Sequence, residues 1–387
     1  MNKIDICIIS PSLLETNTIR GGGCEVTDFN VGLQLSKHFN ICIISTYFKE
    51  YKGKQRINAN LVIDEIPIPA PNKYPPNSKL EIYVQLIITY LFSVLAAIKV
   101  CKLISKKLKI LVVHNPQTGL ISALIAKIVG VKLIYAEGNT TPWTDPYICP
   151  NEQRKSSVDK FFFIYLGKIS NAIRAQSKSI KEGMINQGLH PDKIEVIAAG
   201  VDVNEFRPIS NRDLESSTLR IGFIGRLTEI KGAPLLLDLV IKSADQLPYV
   251  RFYIFGEGPF ERHFMGLPNI EHIGSVPRTE LNQWLSCIDI VVFFQKELGR
   301  AEIESISAGK AIIACNEGEM PLMIKHLENG YLCNSDVQSY IDAIKYLSNN
   351  LTLIENLSIN ARKHAEKTNN WDTIGSQWHS LCMKLTK

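Results

Sequence analysis

Short apolar runs recur along this chain at the spacing of alternating strands and helices. Residues 4–10 form one such run and Gly21, Gly22 and Gly23 follow after a polar loop. Val26, Phe29, Val31, Leu33 and Leu35 then recur with helical spacing before the next apolar run at 41–45. Strand, glycine loop, helix and strand predict a βαβ unit, parallel and right-handed. Residues 58–76 read as strand-like segments running into a proline-rich loop. A strand at 110–114, a helix at 119–129 and a strand at 131–136 follow. Residues 159–186 read as helical, with the run FFFIY as core packing, and 194–202 as a strand ending in a Gly-Val-Asp turn. After a polar stretch the alternation resumes with strands at 220–224, 251–255, 270–273, 289–294 and 311–314. Helices at 235–244, 280–286 and around Glu304 separate them, and further helices are predicted at 337–348, 351–367 and 371–384. Alternation this regular predicts parallel sheets covered on both faces, an α/β fold.

At 387 residues the chain is long for one core. The expected division is a first domain at 1–208, a linker at 209–218 and a second domain at 219–366, with a last helix at 367–387. Composition is that of a globular protein, 45% hydrophobic and 21% charged, and a net charge of +5 gives no reason to expect nucleic acid. Nine cysteines stand singly, without CxxC or HExxH spacing, which reads as reduced and mostly buried thiols in a cytoplasmic protein. The first apolar run is short and meets Pro11, so it reads as a strand rather than a signal peptide. One segment raises a membrane question. Residues 82–98 carry no charge, and Lys99, Lys102, Lys106, Lys107 and Lys109 follow. That is close to the length of a span, yet Gln85, Thr89 and Ser93 interrupt it. A buried domain helix is the first reading, with peripheral membrane contact through 82–109 and a true span as alternatives.

Two stretches carry candidate chemistry. LRIGFIGRLTEIKG (219–232) is a strand, a glycine turn and two fixed cations, Arg226 and Lys231, before a helix. Such a turn aims backbone N–H groups and positive charge at one spot, which suits a diphosphate. ELGRAEIESISAGKAIIA (297–314) brings a glycine turn and a helix bearing Glu304, a carboxylate acceptor for a ribose diol. His114, just past a strand end, stands where open α/β sheets bind ligands, or is simply a satisfied polar residue at the sheet edge.

These motifs, with GGCE (22–25), IEVIAAGVDVNEFRP (194–208) and FGEGP (255–259), resemble in order and spacing the family 4 (group 1) retaining glycosyltransferases. The resemblance covers nearly the whole chain. It implies a GT-B fold, two Rossmann-like doubly wound parallel-sheet domains facing across a cleft, with the last helix crossing back to the first. It further implies a nucleotide diphosphate sugar as donor and a glycan or lipid-linked acceptor, with no metal cofactor; the chain has no Asp-x-Asp triplet. By resemblance, IRAQSKSIKEGM (173–184) is a strand and helix preceding the domain crossover, and Gly22 and Gly23 lie close to donor and acceptor. Arg226 and Lys231 neutralise the donor phosphates in catalysis, and Gly256 belongs to a second glycine turn. Ser275 and Val276 border the base, Glu304 binds the ribose, and the backbone at Leu298, Gly299 and Arg300 faces the sugar and phosphate. Glu302 and the Arg300 side chain are further candidates.

Three positions depart from the family pattern. Lys296 stands where its first glutamate is expected, so Glu297 is the candidate substitute. Ala199 replaces an asparagine, and Glu137 and Asn139 stand near where a histidine is usual. The implied activity is transfer of a hexosyl-type sugar with retention, by front-face attack without a paired-carboxylate nucleophile. Loss of transfer in a protein that only binds sugar nucleotides is the alternative, and a GT-B epimerase a more distant one.

Overall fold

A computed structural model describes residues 3–10, 23–47, 51–69, 79–137, 157–209 and 218–386. The chain divides into two compact units. Among the described residues, the first takes those up to Ala198 and from Trp371 onward, and the second takes Ala199–Asn370.

The first unit is an eight-stranded sheet. Its elements in chain order are β1 (Ile6–Ile9), α1 (Gly23–Leu35), β2 (Ile41–Tyr47), β3 (Lys54–Arg56), β4 (Leu61–Pro69), α2 (Lys79–Ile104) and β5 (Ile110–Val113). Then come α3 (Pro116–Ile128), β6 (Lys132–Glu137), α4 (Ser157–Ile169), β7 (Ala172–Ala175), α5 (Lys178–Asn186) and β8 (Ile194–Val196). The strand order is β3-β4-β2-β1-β5-β6-β7-β8, with only β3 antiparallel to its neighbour. β1 lies central, Ile6 level with Ile41 on one side and Ile110 on the other. Its four residues are all buried, as strands covered on both faces must be. Cys7 and Ile9 point toward Phe92, Ala96 and Val100 of α2 and the inner faces of α3, α4 and α5. Ile6 and Ile8 point the other way, to Val31 and Leu35 of α1. The period of two along the strand thus assigns each side chain to one helix layer.

The second unit is a six-stranded, wholly parallel sheet in the order β11-β10-β9-β12-β13-β14. It runs β9 (Leu219–Ile224), α6 (Ala233–Gln246), β10 (Val250–Phe255), α7 (Glu261–Phe264), β11 (Ile270–Gly274) and α8 (Arg278–Ser286). β12 (Ile290–Phe293), α9 (Arg300–Ser307), β13 (Ala311–Cys315), α10 (Met320–Met323), β14 (Tyr331–Cys333), α11 (Val337–Ser348) and α12 (Leu351–Thr368) complete it. The last helix, α13 (Trp371–Thr386), belongs to the first unit, where Trp371, Ile374 and Trp378 share the cluster of Ile6, Ile8 and α1.

The structure corrects the sequence reading at several points. Residues 159–186 are not one helical stretch: β7 interrupts them and α5 follows, as the resemblance of 173–184 to a strand and helix implies. Of FFFIY only Phe163 is fully buried, edge-on to Tyr135 at 5.6 Å, whereas Phe161 is exposed and stacks on Tyr165. Residues 199–208, expected in the first domain, pack with the second unit. Phe206 is buried there, and its carbonyl accepts from Ser307 Oγ and Arg362. Most of the expected linker, 210–217, lies outside the described residues. α2 buries one face only. The edge strand β3 and the short β14 were not predicted; β3 reads KQR, polar as an exposed sheet edge favours.

Candidate functional site

Strand order in the second sheet reverses between β9 and β12, and open α/β sheets bind ligands beyond the carboxyl ends of the strands at such a point. The turn after β9 carries Arg226, exposed, and Lys231, half-buried, the latter on a single 3₁₀ turn (Glu229–Lys231). Gly232 ends that turn with φ +75°, and a Cβ there would come within 2.3 Å of Phe294 Cβ. Only glycine lets the turn press so closely against the end of β12. The consequence is an encounter between residues far apart in sequence. Lys231 Nζ lies 3.4 Å from where a Cβ on Gly299 would stand, at the N-terminus of α9. Sequence reasoning placed both motifs on one ligand, and the fold brings them together.

The FGEGP turn supports this arrangement from behind. Gly225 N–H donates to Phe255 O at 3.0 Å, and Leu227 N–H to Glu257 O at 2.9 Å. A Cβ on Gly256, whose φ is +144°, would stand 2.0 Å from Gly225 O. Gly256 therefore serves the fit of two turns. Val276 is half-buried and packs into the adjoining cluster, whereas Ser275 is exposed.

The start of α9 differs from expectation. The N–H groups of Leu298 and Gly299 already donate to carboxylates, Glu319 Oε2 and Glu302 Oε2, each at 2.9 Å. Glu302 is fully buried; burial pushes its carboxyl up, and the Lys231 charge works against that. Its Oε1 has no hydrogen-bond partner. Glu302 is thus a helix-capping carboxylate facing the ammonium, not an open ligand group. The spacing Gly-x-x-Glu was the available sequence signal.

Glu304 is buried, and its Oε1 accepts from Arg300 Nη2 at 2.8 Å and Arg278 Nε at 3.0 Å. Arg278 also reaches Glu205 at 2.9 Å and lies over the Phe206 ring, 4.9 Å from its centroid. Sequence reasoning missed Arg278 because nothing local marks a residue whose partners are distant in the chain. Arg300 Nη1 is buried and unpartnered, a donor available to an anion. Lys296 is exposed and pairs with Glu317 at 2.5 Å, which raises its pKa, and Glu297 beside it is exposed.

The first sheet reverses between β1 and β5. Gly23 is the first residue of α1, and Gly22 lies outside the described residues, as does Asn139. Glu137 ends β6, with its side chain not described. His114, past the end of β5, pairs through Nε2 with the buried Asp28 of α1. The sheet-edge reading of this histidine thus finds its partner.

Residues 218–350 match the family model "Glycosyl transferases group 1". One of the phosphatidylinositol N-acetylglucosaminyltransferase subunits of Arabidopsis thaliana is 26% identical over 59% of this chain and 52% of its own length. D-inositol 3-phosphate glycosyltransferase of Corynebacterium glutamicum is 25% identical over 66% of this chain and 64% of its own. The chain thus spans about half to two thirds of these relatives. In fold it resembles the sucrose-phosphate synthase of Thermosynechococcus elongatus (TM-score 0.79, 14% identity, 99% of both chains). HepE of Anabaena, solved with UDP and glucose, gives a TM-score of 0.71 at 15% identity, over 98% of this chain and 100% of that one. The two Rossmann-like parallel-sheet units are those of the GT-B fold. Residues 218–350, about a third of the chain, thus resemble the group 1 glycosyl transferases in sequence.

Proposed function

We propose that the protein is a retaining glycosyltransferase that moves a hexosyl-type sugar from a nucleotide diphosphate sugar to a glycan or lipid-linked acceptor. The observation that carries this reading is the meeting of Lys231 with the N-terminus of α9 at the strand-order switch. Charge that builds on a departing diphosphate is neutralised by Lys231 and Arg226, with Arg300 Nη1 as a further donor. No metal ion is needed in this scheme. Glu304 Oε2, left over by the two arginines on Oε1, accepts from the ribose diol. Attack on the face the diphosphate leaves requires no nucleophilic carboxylate, and a phosphate oxygen takes the acceptor proton. The relatives' names, and the UDP and glucose of the HepE complex, support a nucleotide-sugar donor. We place the work in polysaccharide or cell-surface glycan synthesis, on the cytoplasmic side of a membrane.

The test is nucleotide release from UDP-, GDP- and ADP-sugars, with EDTA present and with or without membrane lipid extract. Release from one donor that survives EDTA supports the reading. Loss of release on chelation, restored by a divalent cation, refutes the metal-free scheme. Tight donor binding without release under any condition favours the binding-protein alternative, for which the Lys296–Glu317 pair in place of the family carboxylate is the motivating observation.

A further inference from the structure

α2 has 26 residues, about 39 Å of helix. Its inner face is in the core of the first unit through Phe92, Ala96, Val100 and Leu103. Its outer face is equally apolar. Tyr83, Ile87, Tyr90, Val94 and Ile98 follow one another at three- and four-residue steps, with Ile87 66%, Tyr83 62% and Tyr90 59% exposed. A surface helix of a soluble domain would ordinarily carry charge there.

Charge is concentrated at one end. From Ile82 to Ala136 the sequence has seven lysines and no aspartate or glutamate. Lys99 is engaged by Asp64 and Lys109 by Asp5. Lys102, Lys106 and Lys107 are exposed, and among the described residues no carboxylate pairs with them. α2 packs against α3, and α3 against α4, so the three form one layer over the sheet. That layer also exposes Ile128 beside Lys127, and Phe161 and Tyr165 near Lys168.

We propose that the outer face of α2 docks on an anionic lipid surface, lying along it with the lysines at its C-terminal end among the headgroups. By length and composition Leu86–Ile104 is able to span a bilayer. A span would pull Phe92, Ala96 and Val100 out of the core, so the helix lies in the interface instead. The tyrosines suit that depth, where a ring with a polar tip is at home. A second copy of the chain on the same face would cover the apolar stripe but leave the lysines without anions. Anionic lipid satisfies both.

The proposal stands apart from sugar transfer and is tested without a donor. Purified protein is sedimented with vesicles of phosphatidylcholine alone or with about a third phosphatidylglycerol, over a salt series. The expected result is binding to the anionic vesicles that weakens with salt. It should fall about fivefold for each of Lys102→Ala and Lys106→Ala, and be lost in Ile87→Glu/Val94→Glu with an unchanged melting temperature. A polarity-sensitive dye on the exposed Cys101 of α2, with Cys24, Cys149 and Cys287 changed to Ser, should shift to the blue on vesicles. No binding to either vesicle overturns the proposal while leaving the transferase reading intact. So does a concentration-dependent dimer that Ile87→Glu disperses, since the occupant is then a second copy.

Discussion

Both sheets reverse their strand order once, and among the described residues what stands at the two reversals differs. At β1/β5 the described residues supply one histidine–aspartate pair between a strand end and a helix. At β9/β12 a cation is pinned by a glycine that touches the neighbouring strand, a helix N-terminus is capped by buried carboxylates, and two arginines clamp a third. Nearly every group in the second site is held by another that is itself fixed. Preorganised charge of this sort is what a leaving group demands, because groups that must reorient during reaction stabilise it less. Among the described residues, the second reversal holds the denser set of mutually fixed charges.

Removing the cation is the largest test. Lys231→Ala should lower kcat/KM for nucleotide release by about a hundredfold or more, with little change in melting temperature since the side chain is half-buried. Steady-state kinetics beside thermal unfolding reads both. An equal loss from His114→Ala would erase the contrast between the reversals.

Next in size is the glycine fit. Gly256→Ala puts a Cβ against Gly225 O in a backbone conformation side chains avoid, and should cost about 2–4 kcal/mol of stability. Donor affinity should fall with it, because the Arg226 turn is displaced. Gly119→Ala crowds Val113 in the first unit and should cost stability without touching donor affinity, as denaturant unfolding and calorimetry would show.

Glu302→Gln is subtler. The amide oxygen still caps Gly299 N–H, but the negative charge facing Lys231 is gone, and donor turnover should fall about tenfold. Stability should move the other way. Burial raises the Glu302 carboxyl above its ordinary value of 4.5, so the folded state holds the proton more firmly than the unfolded chain. Stability then drops as pH rises through that interval, and the glutamine variant should lose this part of the drop. Unfolding midpoints between pH 4.5 and neutrality would reveal the difference.

The smallest effect concerns Lys310, which donates to Ile288 O at 3.0 Å and is pushed down to about 8 by burial, with Asp289 acting against that. Because its ordinary value is 10.5, the unfolded state binds the extra proton between about 8 and 10.5, so stability rises with pH across that window. Lys310→Met should flatten that rise and add about 1 kcal/mol at neutral pH, measured by denaturation at stepped pH.

Much of the fold was legible because parallel sheets demand runs such as Ile6–Ile9, apolar on both faces. β7 was legible only by resemblance: AIRA is four residues long, sits between two helices and carries an arginine, so its local pattern reads as helix and its pairing with β6 and β8 defines it. The meeting of Lys231 with Gly299 was legible from turn chemistry within a few residues of each. Arg278 on Glu304, Glu319 on Leu298 and Glu317 on Lys296 were not, since each pairing depends on how separate strand ends converge. The single-sided burial of α2 also escaped the pattern, because a helix apolar all round reads alike whether a neighbour or nothing covers its second face.

The placement of α13 bears on how the protein is made. Its tryptophans seal the face of the first sheet opposite α2, yet they are encoded after the entire second unit. On a ribosome adding about 5–20 residues per second, the sheet waits on the order of 10–40 s after β8 is made for that cover over Ile6 and Ile8. Among the described residues the second unit is contiguous in sequence, so it is complete before the first. A nascent chain therefore passes through a stage in which the second unit is complete while Ile6 and Ile8 have α1 but not yet α13 against them.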